Sequence, residues 1–380
     1  MKEGWSYKKL GKVCEVISGQ SPEGKFYNTE GQGTPFYQGK KEFSSKYIGN
    51  PTTWTTVETK IAEKDDLLMS VRAPVGDINF ATQRLCIGRG LAAIRTKEDI
   101  DKEYLFYFLV AQKSCIKGKE GVGFASINRK EIMDIDVQYP KDFSEQRSIV
   151  TRLDAAFSHI DALKANAEKQ LNEARKLFQA ELTECMKPKE GWEEKRIKEV
   201  GEVIGGTTPS TSNPQFWDGD VCWISPAELH GEHYLYDSVK KITTEAVEAK
   251  SLKELPIGTV ILSSRAPIGK IAINKVPMYC NQGFKCVVCK SELYNEYLYW
   301  WFYGKTEYLN SLGTGATFLE ISKKVVENII IPIPPLDIQR SIVSHLDSLS
   351  SNIRKLEELQ QKTIAECDAL KQAMLREVFE

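Results

Sequence analysis

Histidine is scarce in this chain, four among 380 residues. Net charge is almost missing as well: 51 Lys and Arg face 52 Asp and Glu, a formal −1. Such a balance argues against a protein that coats nucleic acid by bulk electrostatics. Long hydrophobic runs are absent. The longest, Tyr104–Ala111 and Tyr297–Tyr303, fall far short of the ~18 residues of a membrane span, so no membrane partner is expected. The N-terminal Met1-Lys2-Glu3-Gly4-Trp5 carries no apolar stretch of the kind that marks a secreted chain. The nine cysteines are odd in number and lack framework spacing. That excludes a disulfide mini-scaffold and points to free thiols in a reducing cytoplasm. What remains is an ordinary globular composition, 41% hydrophobic, over a length that supports two or three domains with sizeable cores.

The most informative presence is a repeat of long period. Lys2-Glu3-Gly4-Trp5 returns unchanged as Lys189-Glu190-Gly191-Trp192, an offset of 187. At that offset Leu10–Ile17 is echoed by Ile197–Ile204, and Pro22 by Pro209. Farther on the offset is 193. It pairs Arg72-Ala73-Pro74-Val75-Gly76 with Arg265-Ala266-Pro267-Ile268-Gly269, Gly90 with Gly283, and Tyr104-Leu105 with Tyr297-Leu298. It also pairs Gln146–Val150 with Gln339–Val343. The change implies a six-residue net insertion between Pro209 and Arg265, expected in a loop. Repeats of about 20–50 residues build solenoids; a period near 190 means two domain-sized units.

Each unit has two parts. Residues 1–143 and 191–336 read as mixed α+β segments, and 144–190 and 337–380 as long helices. Lys270–Asn274 and Asn328–Pro332 alternate like strands, while the aromatic stretches Glu103–Gln112 and Glu296–Tyr303 read as core helices. On the first long helix Ile149, Leu153, Ala156, Ile160, Leu163 and Ala167 recur at alternating steps of four and three. After a stutter the stripe continues through Leu171, Ala174, Phe178, Leu182 and Cys185. The second helix carries Ile342, Leu346, Leu349, Ile353, Leu356, Ile364, Cys367 and Met374. Asp142 and Glu145 make a capping box before the first helix, and Lys187-Pro188 with Gly191 closes it. From Glu145 to Met186 this helix spans roughly 60 Å at ~1.5 Å per residue. Two seams of matched length predict an antiparallel coiled coil between the helices, with a pseudo-two-fold axis. The mixed segments would then sit at opposite ends, inverted, with Glu380 near Met1. An ordinary bundle with a third partner helix is the alternative, but the chain has no further helix-rich segment.

A catalytic centre is hard to assemble. His159 and His345 fall on the long helices and read as solvated, and His230-Gly-Glu-His233 reads as a surface loop without a third ligand. Cys286-Val-Val-Cys289 lacks a second cysteine pair for zinc. Gly121-Val-Gly123 and Gly313-Thr-Gly315 follow helical segments, not the strand a dinucleotide fingerprint requires. Asn213-Pro214-Gln215-Phe216 resembles an adenine-methyltransferase motif but lacks its second proline, and no S-adenosylmethionine-type glycine motif accompanies it. Neither a nuclease cluster nor a P-loop nor a helicase motif is evident. The expected protein is a binder, with no catalytic residues, metal or cofactor of its own.

Loops suited to nucleic acid remain. In the first unit they offer Gln20 and Ser21, Tyr37, Gln38 and Lys40, Arg72, Arg89, and the stretch from Gly123 to Arg129. In the second they offer Thr207 and Ser210, Ser225, Arg265, Asn281 and Gln282, and Thr314. Arg, Gln and Asn read base edges, Lys, Ser and Thr reach phosphates, and glycine admits close backbone approach. Polar glycine-rich loops are more often just solvated turns. The stronger point is that both units keep Arg-Ala-Pro-[Val/Ile]-Gly yet differ at Tyr37-Gln38-Gly39-Lys40 against Trp223–Pro226. Such loops suit two different sequences held on one scaffold.

The pattern resembles the specificity subunit of type I restriction–modification systems. The resemblance rests on Gly4–Val13 and Gly191–Val200 (Gly-Trp then Leu/Ile-x-x-Val), the Gly-Gly-Thr-x-Pro turn at Gly205–Pro209, Ser264–Gly269, Asn281–Phe284, and Ile331–Ile342. It covers essentially the whole chain. The first unit departs from it with Gly19-Gln20-Ser21-Pro22, Ile87–Gly90 and Tyr139–Phe143. The resemblance implies two target-recognition domains, each reading half of a bipartite double-stranded DNA site, with the paired helices as a spacer. It further implies two docked modification (methyltransferase) subunits that supply the S-adenosylmethionine chemistry, and restriction subunits joined through them. Two other classes stay open: a repeat-built adenine methyltransferase using Asn213–Phe216, and a coiled-coil scaffold without DNA contact. Charge is even throughout: 22 basic and 19 acidic groups over 1–143, eight and eight over 144–190, 15 and 17 over 191–336, six and eight over 337–380. Modest, salt-sensitive DNA binding is therefore expected, through patches such as Lys40-Lys41-Lys46 and Arg84-Arg89.

Overall fold

A computed structural model describes residues 4–116, 125–265, 267–315 and 319–379. Gly121-Val-Gly123, Ala266, and both Met1 and Glu380 therefore lie outside the described residues, so the expected approach of the termini is not addressed. The chain divides into two compact units, Met1–Ala167 with Gln361–Glu380, and Glu168–Gln360.

In the first unit a one-turn helix, Leu10–Val13, buries Leu10 and Val13 and feeds the strand Cys14–Ser18. That strand opens a four-stranded antiparallel sheet in the order Cys14–Ser18, Leu91–Thr96, Leu67–Ser70, Ile78–Phe80. Strand alternation sends neighbouring side chains to opposite faces. Leu67, Met69, Ala92 and Ile94 join the core beneath the aromatic helix Lys102–Ala111. Leu68, Leu91 and Ala93 face a second core with Tyr37, Leu85 and Ile87. Both faces are covered, which explains why these strands read as continuous apolar runs. Asp101 starts the aromatic helix by accepting from the Glu103 and Tyr104 backbone N–H groups at 2.9 and 3.2 Å.

The second unit repeats this plan. Its main sheet runs Gly201–Gly205, Phe284–Cys289, Val260–Ser263, Ile271–Asn274, Tyr234–Leu235, the last pair parallel. Val260, Leu262 and Val287 pack toward the helix Asn295–Tyr303, while Ile261 and Cys286 pack on the other face. The interval in which this repeat is longer contains the helix Thr244–Ala249. His233 also departs from expectation. It is a core histidine stacked between Tyr234 and Tyr299, with Nε2 2.8 Å from a Glu296 carboxylate oxygen. All nine cysteines are free thiols.

A two-stranded ribbon leads into each long helix: Trp5–Lys9 with Asp136–Pro140, then Glu193–Arg196 with Ile330–Ile333. The helices run Phe143–Cys185 and Leu336–Phe379. Asp142 caps the first by accepting from the Ser144 backbone N–H (2.8 Å) and hydroxyl (2.7 Å), in place of the reciprocal box with Glu145. Gln146 and Gln339, identical positions of the repeat, are fully buried at the two helix starts. Gln146 accepts from the Asp101 N–H and donates to the Pro140 carbonyl. Gln339 accepts from the Tyr294 N–H and donates to the Glu292 and Pro334 carbonyls.

Within each unit the two long helices lie antiparallel. In the first, Asp161 pairs with Lys371 and Lys164 with Asp368. In the second, Gln170 bonds Gln360 and Arg175 pairs with Glu357. Leu153, Ile160, Ala167, Leu182, Leu346 and Cys367 are buried along the seam. Leu163 is not: it is 59% exposed, and Lys164 takes its place in the stripe. No described helix is long and apolar enough to cross a membrane.

Candidate nucleic-acid interface

In each unit, loops distant in sequence are tied together at the end of the main sheet. In the first, Gly19 N–H donates to the Leu91 carbonyl and Gln20 N–H to the Ile87 carbonyl, each at 2.9 Å. Gly88 N–H reaches the Tyr37 carbonyl at 2.8 Å, Gly90 N–H that of Gln38 at 3.1 Å, and Val71 N–H that of Gly90 at 2.9 Å. The Ser21 hydroxyl donates to Gln38 Oε1 (2.8 Å) and accepts from the Arg89 N–H (3.2 Å). A Cβ on Gly19 would stand 2.1 Å from the Gly88 carbonyl oxygen, so only glycine permits this crossing. Gln20, Ser21, Gln38 and Arg89, with Arg72 beside Val71, thus form one cluster.

The second unit builds the same knot from different side chains. Thr207 N–H donates to the Cys280 carbonyl at 2.9 Å and Asn281 N–H to the Ile224 carbonyl at 3.0 Å. A Cβ on Gly206 would meet the Asn281 carbonyl oxygen at 2.0 Å, the equivalent of the Gly19 crossing. The Thr208 hydroxyl donates to Gln282 Oε1, as Ser21 does to Gln38. Asn281 Oδ1 accepts from the Gly283 N–H at 2.8 Å. Ser225 is occupied locally, its N–H and hydroxyl both donating to Glu228. The Ser210 hydroxyl lies 2.8 Å from that of Ser212, and the Ser210 carbonyl accepts from the Trp217 indole. Thr207, Gln282 and Thr314 are exposed.

The two arginine turns share a frame and differ in charge. Ser70 and Ser263 each donate a hydroxyl to the turn's proline carbonyl, at 2.9 and 2.8 Å. Gly76 and Gly269 close the turns at φ +89° and +95°. Arg72 is exposed and has no ion-pair partner among the described residues; its backbone bridges to Ser126. Arg265 bridges instead to Glu320, and its Nε donates to that carboxylate at 3.0 Å. Lys285, a buried cation in an otherwise apolar strand, lies 3.4 Å from the same carboxylate and donates to the Ser264 hydroxyl and the Gln282 carbonyl. Burial works against ionisation of Glu320, but Arg265 and Lys285 outweigh it and hold its carboxyl below the ordinary range. Thr314 joins this group through backbone bonds to Glu320 at 3.0 Å in both directions.

One sequence candidate is corrected. Tyr37 is 1% exposed, and its hydroxyl donates to the Gly49 carbonyl at 2.8 Å, so it belongs to the core. Lys40 is held by Asp77, which Lys113 also pairs. Within the basic patches, Lys46 is bound by Glu103 and Asp154, and Arg84 by Glu58 and Glu63. Glu320 and Lys285 were missed. The only local signal was a lone lysine inside the apolar strand Phe284–Cys289, since a buried charge requires a partner. Asn213 caps a short turn by accepting from the Gln215 N–H, as a loop residue would.

Two equivalent knots with different exposed side chains make a duplicated module. The chain belongs to the type I restriction modification DNA specificity domain family, whose pattern matches residues 2–173 and again 189–365. It is 40% identical over 191 residues to the type I restriction enzyme MjaIX specificity subunit of Methanocaldococcus jannaschii, covering 48% of this chain and 44% of that protein. It is 30% identical over 237 residues to the EcoR124I/EcoR124II specificity subunit of Escherichia coli, covering 58% of this chain and 57% of that one. The chain thus spans about half the length of these relatives. Its fold matches a chain from a structural study of complex assembly and conformational transition in the type I R-M system (TM-score 0.82, 21% identity), covering 100% of this chain and 98% of that one. It also matches the HsdS subunit of Thermoanaerobacter tengcongensis, with TM-score 0.64 and 20% identity, covering 100% and 97%.

Proposed function

We propose that this chain is the non-catalytic DNA-recognition subunit of a type I restriction–modification assembly. Each loop cluster reads one half of a bipartite target. The functional segments are 1–143 and 191–336 as readers, and 144–190 and 337–380 as the spacer that fixes the gap and docks two modification subunits. Methylation and cleavage belong to partner subunits. The observation that carries this reading is the same backbone knot built twice around different side chains, Gln20–Ser21–Gln38–Arg89 and Thr207–Thr208–Asn281–Gln282. A shared scaffold with changed side chains suits two different base sequences. The near-even charge of the two reader segments, 22 basic against 19 acidic groups and 15 against 17, fits a subunit that contributes base reading while its partners supply much of the phosphate affinity.

The test is to co-express the chain with its modification subunit and sequence the methylated adenines. A split motif with a fixed gap is expected, and removing seven residues from each long helix should shorten the gap. A continuous motif would sink the two-reader reading, and an unchanged gap would sink the spacer.

A further inference from the structure

We propose a zinc-class metal site on the long-helix pair of the second unit, formed by Glu181, Cys185 and His345. Glu181 and Cys185 stand one turn apart on the first long helix, and His345 faces them from the second. His345 Nε2 lies 3.0 Å from Glu181 Oε1, and Cys185 Sγ lies 3.6 Å from that same oxygen. The ligating atoms of all three lie within 4.8 Å of one another.

These spacings are close to those of a tetrahedral site. Zinc bonds of about 2.0 Å to oxygen and nitrogen and about 2.3 Å to sulfur set an O–N edge of about 3.3 Å and an O–S edge of about 3.5 Å. The two edges to Glu181 need shifts of only a few tenths of an ångström, and the Cys185–His345 edge, within 4.8 Å, closes to about 3.5 Å by side-chain rotation. One thiolate, one imidazole and one carboxylate suit zinc better than magnesium or calcium, which take oxygen ligands. Glu181 and His345 are each about half exposed, at 46% and 49% of their side chains, which leaves solvent access for a water as fourth ligand. Binding would release the thiol proton to solvent and leave the thiolate on the metal.

The repeat supplies a comparison inside the chain. At the offset of 193 the equivalents are Met374 for Glu181, Val378 for Cys185, and Arg152 for His345. In the first unit Met374 and Val378 pack onto its hydrophobic core. The same place on the scaffold is thus apolar with one cation in one copy, and holds three metal-binding groups in the other. A need for helix packing alone does not account for that exchange. A metal here would tie the two long helices of the second unit together, whatever the chain recognises.

The test uses the full chain, stripped with a chelator and titrated with Co²⁺ alone. The expected result is one equivalent bound, a thiolate-to-cobalt charge-transfer band, strong tetrahedral visible bands, and displacement by Zn²⁺. Cys185→Ser should abolish the charge-transfer band. His345→Ala should weaken binding by at least about tenfold, with unchanged circular dichroism showing that the variant folds. Cys280→Ser, at a thiol pair in a separate core cluster, Cys280 with Cys286, should leave the titration unaltered. Absence of a stoichiometric band, or a band that survives Cys185→Ser, overturns the site.

Discussion

Replacing Gln339 with leucine keeps the side-chain volume nearly constant and removes three hydrogen bonds from a fully buried position. The Tyr294 N–H loses its acceptor, and the Glu292 and Pro334 carbonyls lose their donor, bonds of 2.8, 2.9 and 2.8 Å. Each of the three partners is left buried without its bond, at a cost of at least about 1 kcal/mol apiece, so the loss is at least about 3 kcal/mol. Leucine buries roughly one more methylene-sized group and returns about 0.8 kcal/mol. The expected net destabilisation is at least about 2 kcal/mol, confined to the second unit. Hydrogen exchange followed residue by residue is the right assay, because a chain of two units need not unfold in one step. Exchange at Tyr294 and through the helix Asn295–Tyr303 should accelerate by at least roughly 30-fold, the equivalent of 2 kcal/mol. Amides near Gln146 should be untouched. Gln146→Leu should give the mirror result in the first unit, centred on Asp101. A Gln339→Leu chain with protection within twofold of the parent would refute the argument, as would equal loosening of both units.

Other expectations are briefer. Arg72→Ala should weaken or relax reading of one half-site by about 1–3 kcal/mol. Arg265→Ala should act less on its half-site, because that guanidinium is already engaged by Glu320; half-site-resolved binding assays that show the reverse order would contradict this. Tyr37→Phe should lower stability by about 1 kcal/mol and leave DNA affinity alone; weaker DNA binding at unchanged stability would return Tyr37 to the interface. Burial opposes ionisation of Glu296, but its bond to His233, the charge on that ring and Lys275 prevail, holding its carboxyl below the ordinary 4.5. An acid with a depressed folded-state value contributes stability above its unfolded value and loses it as pH falls through the folded one. The second unit should therefore weaken from about pH 5 downward, and Glu296→Gln should flatten that dependence in acid titrations followed by circular dichroism.

Some features were legible in the sequence because they are local. The period of the seam placed both long helices, and the observed Phe143–Cys185 begins two residues before the expected start at Glu145. The aromatic helices were readable because Tyr104–Leu109 and Glu296–Phe302 are buried all round. The seam could not decide between Leu163 and Lys164, because steps of three and four both continue a helical stripe. The lysine wins because its stem crosses the seam while its ammonium reaches Asp368 at 3.0 Å. Charge was misread for a different reason. Lys40, Lys46 and Arg84 read as unpaired bases along the chain; their carboxylate partners lie 21 to 108 residues away and meet them only on folding. Local sequence could not show Arg265 meeting Glu320, 55 residues distant.

The composition of the first unit has a bearing on how the protein is made. Residues 361–380 belong to it, and its core includes Leu375 and Phe379, the latter edge-on to Tyr104 and Phe108 at 5.4 and 5.8 Å. The Gln138 amide also donates to the Phe379 carbonyl. On the ribosome the first unit is therefore started early and finished late, after every residue of the second has been translated. Until then the sides of Tyr104 and Phe108 that meet Phe379 wait for the last residues of the chain to close that core.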